Sequence, residues 1–387
     1  MVTASTLICT VGTSLIYPNL SGLPKKQEDY EVWLTKQPKE DRQYLSLDFI
    51  SSLNTAFADG NLEQIAHLLT TIPPNVRLCG AEINSVADII HHDYASNNCN
   101  LFFCYSATPD GEKIGEILDI YYSKKGVLSS KKRIDDLQDQ FPKLFRTKGL
   151  RNLAKEVSKI IREYGVSQCA INATGGYKAQ IAIAVLMGQA LGVPVYYKHE
   201  RFSEIIPFPP MPISLDFNLW LQKSGWLSTL DREGVIAWSA DLAEDWNEQM
   251  ETLVEREGEY LELSPTGQIF HETFKGRFQS DRDAVLPPRI PANQKQAPSL
   301  TDHGWGSARS TIISYFQKII DEGAYVRTCR THYWNPDLSS SSLFRLKGDQ
   351  IEGIYSNGSW TVKFYVETSS NTEGQHSACV ADLNSRL

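Results

Sequence analysis

Apolar positions in the first two hundred residues come in short runs separated by amphipathic stretches. Residues 6–11 (LICTVG) read as a buried strand that stops at Gly12-Thr13-Ser14. Residues 100–105 (LFFCYS), 168–172 and 193–197 read the same way, and one more strand is expected at 76–79. Helical spacing predicts helices over 44–58, 61–71, 82–92, 112–122, 145–164 and 175–191. In 145–164, Leu150, Leu153, Val157, Ile160 and Ile161 share one face. Strands alternating with helices predict an α/β domain, residues 1–210, with a doubly wound parallel sheet.

The rest of the chain has a different rhythm. Residues 215–226 and 241–255 have helical spacing, and 259–263 and 268–274 read as a hairpin around Ser264-Pro265-Thr266-Gly267. Helices followed by a hairpin predict a small winged-helix-like middle module, residues 211–280. Pro287, Pro288, Pro291 and Pro298 predict an extended linker over 281–302. An amphipathic helix over 305–322 follows, with Ile312, Ile313, Phe316, Ile319 and Ile320 as its stripe and Gly323 at its end. Strand-like runs at 325–331, 342–347, 351–355 and 360–368 come next, with Asn357-Gly358 as a hairpin signal, then a helix over 374–386. The order α-β-β-β-β-α predicts a C-terminal α+β domain with an antiparallel sheet, residues 303–387.

Charge changes this picture. The 387 residues carry a formal charge of −8, and residues 211–302 account for all of it, with 16 Asp/Glu against 8 Lys/Arg. Phosphate contacts need concentrated Lys and Arg, so the chain is not a generic duplex-DNA binder, and the acidic middle module is expected to relay or dimerise. A small anionic ligand held by backbone amides remains compatible. The seven cysteines form no CxxC pair, so no zinc or redox motif is present and no metal or cofactor is expected. No apolar run of about 18 residues occurs, and Met1 leads into a strand pattern without a basic leader. Buried, reduced thiols in a cytoplasmic protein, with no membrane partner, are the expectation.

Two loops carry candidate chemistry: Thr10-Val11-Gly12-Thr13-Ser14 and Asn172-Ala173-Thr174-Gly175-Gly176-Tyr177-Lys178. Each follows a strand, so each belongs at the ligand-binding edge of the sheet. Glycines permit close backbone approach, and unpaired amides at a helix start suit an anion. Lys178 is misplaced against the helix dipole, which marks it as a phosphate ligand. Neither loop has P-loop or GxGxxG spacing. The basic residues of 123–149 read as a solvated charged face or as a rim beside an anionic ligand.

Together, TVGTS, SATPDG and NATGGYK resemble the CRISPR-associated Rossmann fold (CARF) domain of type III accessory proteins, over roughly residues 1–200. That resemblance implies a homodimer binding a cyclic oligoadenylate, most often cyclic tetra-adenylate, across its two-fold axis. Gly12, Thr13 and Ser14 would line one side of the ligand and Asn172, Thr174, Gly175, Gly176 and Lys178 the other, with Thr108 from the middle motif. Some members cut their ligand, and Ser14 and Lys178 occupy the positions that matter for this. The 2′-OH would attack the neighbouring phosphate without metal.

Arg327 and His332 match the Rx4H spacing of HEPN ribonucleases, but that motif lies on a helix and here the surrounding pattern is β, so the match is coincidental. The α-plus-antiparallel-sheet order is similar to the RelE superfamily of mRNA interferases. That implies metal-independent cleavage of RNA, including mRNA on ribosomes, with Arg327, Arg330, Arg345 and Lys347 as phosphate-stabilising candidates and His332 or Tyr365 moving protons. His303 and His376 flank the sheet as further candidates. The expected function is a CRISPR accessory effector whose ribonuclease is switched on by cyclic oligoadenylate. The alternatives are a ring nuclease with a non-catalytic C-terminal domain, and a non-enzymatic ligand-responsive regulator.

Overall fold

The computed structural model describes residues 3–199, 204–212, 215–301 and 304–387, so His303 lies outside the described residues. The chain packs as two compact units, 1–214 and 215–387.

The first unit runs through Ala4–Thr10 (β1), Gln27–Thr35 (α1), Leu47–Ala58 (α2), Leu62–Thr70 (α3), Gly80–His91 (α4), Ala95–Ser106 (β2), Pro109–Lys124 (α5) and Ser129–Ile134 (β3). It continues through Pro142–Leu144 (α6), Leu150–Tyr164 (α7), Cys169–Asn172 (β4), Lys178–Leu191 (α8), Val195–Lys198 (β5) and Ile205–Phe208 (β6). Its sheet has the order β3-β2-β1-β4-β5-β6, parallel except for β6. Side chains alternate across the sheet. Leu7, Cys9, Leu101 and Phe103 pack with Ile65, Leu69, Ile114 and Leu118 of α3 and α5. On the other face Phe102 meets Tyr164 of α7, ring centroids 5.3 Å apart. The strand order reverses between β1 and β4, which places the loops after these two strands side by side.

Residues 76–79 are not the expected strand. Arg77–Cys79 is a single 3-10 turn that enters α4 through Gly80, whose φ of +85° only glycine adopts easily. The basic stretch 123–149 contains β3, an edge strand absent from the sequence reading. Lys131, Lys132 and Arg133 on it pair with Glu116, Glu156 and Glu112, so it is a charged edge rather than a rim over a ligand.

The second unit runs through Phe217–Glu233 (α9), Ile236–Ala237 (β7), Ala240–Asp245 (α10), Glu248–Leu253 (α11), Val254–Glu257 (β8), Tyr260–Leu263 (β9) and Pro265–Val285 (α12). Then come Ala308–Glu322 (α13), Val326–Asn335 (β10), Leu343–Lys347 (β11), Gln350–Ser356 (β12), Thr361–Thr368 (β13) and Glu373–Asn384 (α14). The first part has a helix, a short strand, two helices and a two-stranded wing, with sheet order β7-β9-β8. That agrees with the winged-helix-like expectation, but the hairpin lies elsewhere. Ser264-Pro265-Thr266-Gly267 is the start of α12, not a turn. Ser264 Oγ accepts from Gly267 N at 2.9 Å, and Pro265 occupies the first turn, where a missing N–H costs nothing.

The second sheet, β10-β13-β12-β11, is antiparallel throughout, in the expected α-β-β-β-β-α order. Gly358, with φ +90°, makes the β12–β13 turn. The expected linker over 281–302 does not separate two bodies: 281–285 end α12, and the described residues 286–301 belong to the same compact unit. Gln296 N donates to Arg327 O and Ser299 N to Cys329 O, both at 2.9 Å, so this segment lies along β10. Trp220, Leu227 and Phe274 share one apolar cluster with Leu343, Ile354 and Ala378, which fuses the winged-helix-like part with the C-terminal sheet. All seven cysteines are buried and unbridged. Among the described residues no helix is long and apolar enough to cross a membrane.

Candidate functional site

In the first unit the two glycine loops meet over one buried carboxylate. Glu82, in the first turn of α4, is 1% exposed. Its Oε1 accepts from Gly12 N at 2.7 Å and its Oε2 from Ser14 Oγ at 3.3 Å. Ser14 Oγ in turn accepts from Ala81 N at 3.0 Å. From the other side, Thr10 Oγ1 donates to Gly175 O at 2.5 Å. Buried Asn172 donates to Ser85 Oγ and accepts from Thr174 Oγ1, both at 2.7 Å, and Lys198 N donates to Thr174 Oγ1 at 3.0 Å. The expected set therefore divides. Asn172 and Gly12 fix the loops rather than present groups to solvent, and the Gly12 amide, expected to be available to an anion, is occupied by Glu82. Thr108 caps α5 by accepting from Gly111 N at 3.1 Å.

Beside this junction lies a cleft of about 90 Å³. Ser14 and Thr174 line it, together with Arg77, Asn84, Lys198 and the Gly80–Ala81 start of α4. That volume takes a few water molecules or one phosphate or sugar edge. Lys198 carries its ammonium against Asp88. Lys178 is exposed at the first residue of α8 and does not line this cleft. Arg77, Asn84 and Lys198 carry no local signal: they sit on a 3-10 turn, inside α4 and at the end of β5, and only the tertiary fold brings them to one cleft.

Burial pushes the Glu82 carboxyl up, against the pull of its bonds from Gly12 and Ser14. A carboxyl whose folded pKa is raised holds its proton more tightly folded than unfolded. Its contribution to stability therefore falls as pH rises from the unfolded glutamate range through the folded value. Glu82→Gln keeps an acceptor for Gly12 N and removes this titration. Its melting temperature relative to wild type is expected to rise as pH increases above the ordinary glutamate range, read by thermal unfolding; a difference independent of pH would contradict this account.

In the second unit, register aligns Arg345, Glu352, Tyr365 and Arg330 in one row across β11, β12, β13 and β10. His332 sits at the irregularity between Thr331 and Tyr333. It stacks on Tyr365 with ring centroids 4.2 Å apart, and its Nε2 lies 2.9 Å from Glu352 Oε1. Burial is the main reason the His332 pKa lies below the usual histidine range, although Glu352 opposes it, so the ring is neutral at neutral pH.

Arg345 is not an exposed phosphate ligand. It is 3% exposed and bonded to four carboxylates: Glu352, Asp241, Glu244 and Asp245. Three of these belong to α10, the acidic helix of the winged-helix-like part. Lys347 lies 3.5 Å from Glu244 and 3.6 Å from Glu352, and Lys363 lies 2.6 Å from Asp241. The acidic excess of the middle region is thus partly matched, within this unit, to cations of the sheet. Arg330 pairs at 3.5 Å with Glu367, both half exposed. Arg327 lines a cleft of about 260 Å³ with His376, Asp349 and Glu367; Tyr365 borders this cleft and His332 does not. The Arg327-to-His332 spacing lies wholly on β10, which removes the helical motif. Among the described residues no group of three or more His, Cys, Asp or Glu is placed to hold a metal ion.

Residues 77–211 match a family model described as CRISPR-associated protein (Cas_APE2256), from the turn that opens α4 to the end of the first unit. The match supports a CRISPR-associated protein with a role in CRISPR defence. The chain is also similar to the crystal structure of protein VC1899 from Vibrio cholerae, at 10% identity over 70% of each chain and a TM-score of 0.20. A superposition of that quality does not establish a shared fold.

Proposed function

We propose that this CRISPR-associated chain is a signal-activated ribonuclease: two copies bind a cyclic oligoadenylate over the glycine loops, and the second unit then cuts RNA without metal. The observation that carries the sensing half is the junction of the Gly12–Ser14 and Thr174–Gly176 loops at the strand-order reversal, beside a cleft holding Arg77 and Lys198. The cleft takes one phosphate or sugar edge of each half of the ring. Ser14 positions its loop through Glu82 and Ala81, which favours sensing over ring cutting as its role.

For cleavage, His332, Tyr365 and Lys347 form the reacting group. Neutral His332 accepts the proton of the ribose 2′-OH while the 2′ oxygen bonds to phosphorus. The bond to the 5′ oxygen breaks, Tyr365 returns a proton to that oxygen, and Lys347 offsets phosphorane charge. The products are a 2′,3′-cyclic phosphate and a 5′-hydroxyl. Arg345 takes no part except through folding.

The test incubates the protein with labelled cyclic tetra- and hexa-adenylate and a labelled RNA in one tube. Saturable binding of one ring and ring-dependent cleavage, lost in His332→Ala with ring binding intact, are expected. The sensing half fails if neither ring binds at tens of micromolar. The cleavage half fails if ring-bound protein leaves naked and ribosome-bound RNA whole.

A further inference from the structure

We propose that an unpaired RNA strand lies in a groove of about 1010 Å³ in the second unit, bordered by the start of α10, by α13 and by the loop before β11. This rests on the cleavage reading above, for which the strand is the substrate, and it names residues that neither the sequence nor the His332 group singled out.

Two properties of the groove coincide. The first is aromatic surface. Trp238, Tyr315, Tyr333 and Tyr355 all line it. Tyr315 and Tyr355 are stacked with centroids 3.9 Å apart, and the Arg256 guanidinium lies 4.1 Å from the centre of the Trp238 ring. The second is charge. Arg232, Lys318, Lys363 and Arg386 line the groove with Glu233 and Asp241; each cation has a carboxylate neighbour (Glu233, Glu322, Asp241 and Asp382 in turn), and Lys318, 63% exposed and 4.0 Å from Glu322, is the most loosely held. A phosphodiester backbone needs cations and an unstacked base needs a flat ring, so this pairing fits a single strand. A duplex keeps its bases stacked on one another and leaves such rings unused. Four consecutive serines, residues 339–342, add hydroxyls to the wall where a ribose 2′-OH can be met.

The groove runs beside the candidate reacting group, none of whose side chains lines it. Tyr333 is the chain neighbour of His332, and Lys363 pairs with Asp241, which also holds Arg345 beside Glu352. A strand along the groove therefore approaches the His332–Tyr365 stack.

Anisotropy of a fluorescent twelve-nucleotide RNA, read on the whole protein without cyclic ligand, tests this. Saturable binding that weakens with salt is expected, with a duplex of the same sequence at least ten-fold weaker. Lys318→Ala changes an exposed side chain and leaves the fold intact. It is expected to weaken binding several-fold and to lower the steepness of the salt dependence by about 0.7, the share of one single-strand phosphate. Trp238→Ala is expected to weaken binding about ten-fold, the size of one base stack. Lys113→Ala in the first unit is the control. Binding unchanged in both groove variants, or equal binding of duplex, overturns the groove. Strand binding with these losses but no cleavage under any condition fails the proposed ribonuclease and leaves the groove standing.

Discussion

Arg345→Ala lowers the melting temperature of the second unit by about 10 °C, the largest loss expected from any single charged residue of that unit. The side chain is 3% exposed and Glu352 is wholly buried, so removing the guanidinium leaves a carboxylate in low dielectric without its closest cation, with only the half-exposed Lys347 at 3.6 Å. Breaking a buried pair by deleting one partner costs about 3–5 kcal/mol, because an uncompensated charge remains. Asp241 and Asp245 lose their contacts at the same time. Arg330→Ala is the contrast. Its pair with Glu367 is half exposed, and such pairs are worth about 0–1 kcal/mol. Thermal unfolding of both variants separates two arginines that strand periodicity alone treats alike. If Arg345→Ala melts with wild type, the network is not holding α10 to the sheet. If it melts early, lost cleavage in that variant reports folding and not chemistry.

The difference between those two arginines shows what was legible and what was not. Strand alternation placed Arg345 on β11 correctly, since a period of two is a local property. Its burial depends on Asp241 and Asp245, about a hundred positions away in the chain, and no local pattern carries that. The same limit made 281–302 look like a linker. Prolines mark a non-helical path, and beyond the end of α12 at Val285 the path is mostly extended apart from a 3-10 turn at Ala292–Gln294, but its hydrogen bonds to β10 come from a strand that follows it in sequence. Ser264-Pro265-Thr266-Gly267 failed for a different reason. Ser, Pro and Gly serve both turns and helix starts, and only the long amphipathic stretch beyond Gly267 tells them apart. The Gly267 position also has a packing reason, since a Cβ there would fall 1.9 Å from Leu253 O. In the first unit the Lys-rich strand β3 lacked apolar alternation because it is an edge, where charge replaces hydrophobicity.

The candidate ligand site was legible as loops and not as a cleft. Glycines after buried strands located both loops, and the reversal of strand order brought them together. Glu82 gave no signal, because an acidic residue in a helical pattern reads as solvent-facing. Its burial is what turns two loops into one structure, and the most direct probe of that structure is a single methyl group.

Gly175→Ala is expected to cost about 2–3 kcal/mol, a fall of about 5–10 °C for the first unit, and to weaken cyclic oligoadenylate binding well beyond that loss of stability. The added Cβ would lie 2.3 Å from Glu82 Oε1, 2.7 Å from Thr10 O and 2.8 Å from Gly12 N. Two of these atoms are backbone at the end of β1, and the third is held by Gly12 N. None can withdraw without breaking the bond that ties the first loop to α4, so the methyl pushes the two loops apart. Gly192→Ala is the control. That glycine caps α8 in the left-handed region, φ +73°, with no atom within 4 Å of a Cβ, so its cost is conformational, about 1 kcal/mol, and leaves the site alone. Melting curves and titrations with cyclic tetra-adenylate at a temperature where both variants are folded distinguish the two. Equal losses of stability with ligand binding intact in Gly175→Ala would mean that the loop junction shapes the fold and not the ligand site. Loss of binding in Gly175→Ala alone ties the buried Glu82 junction to sensing.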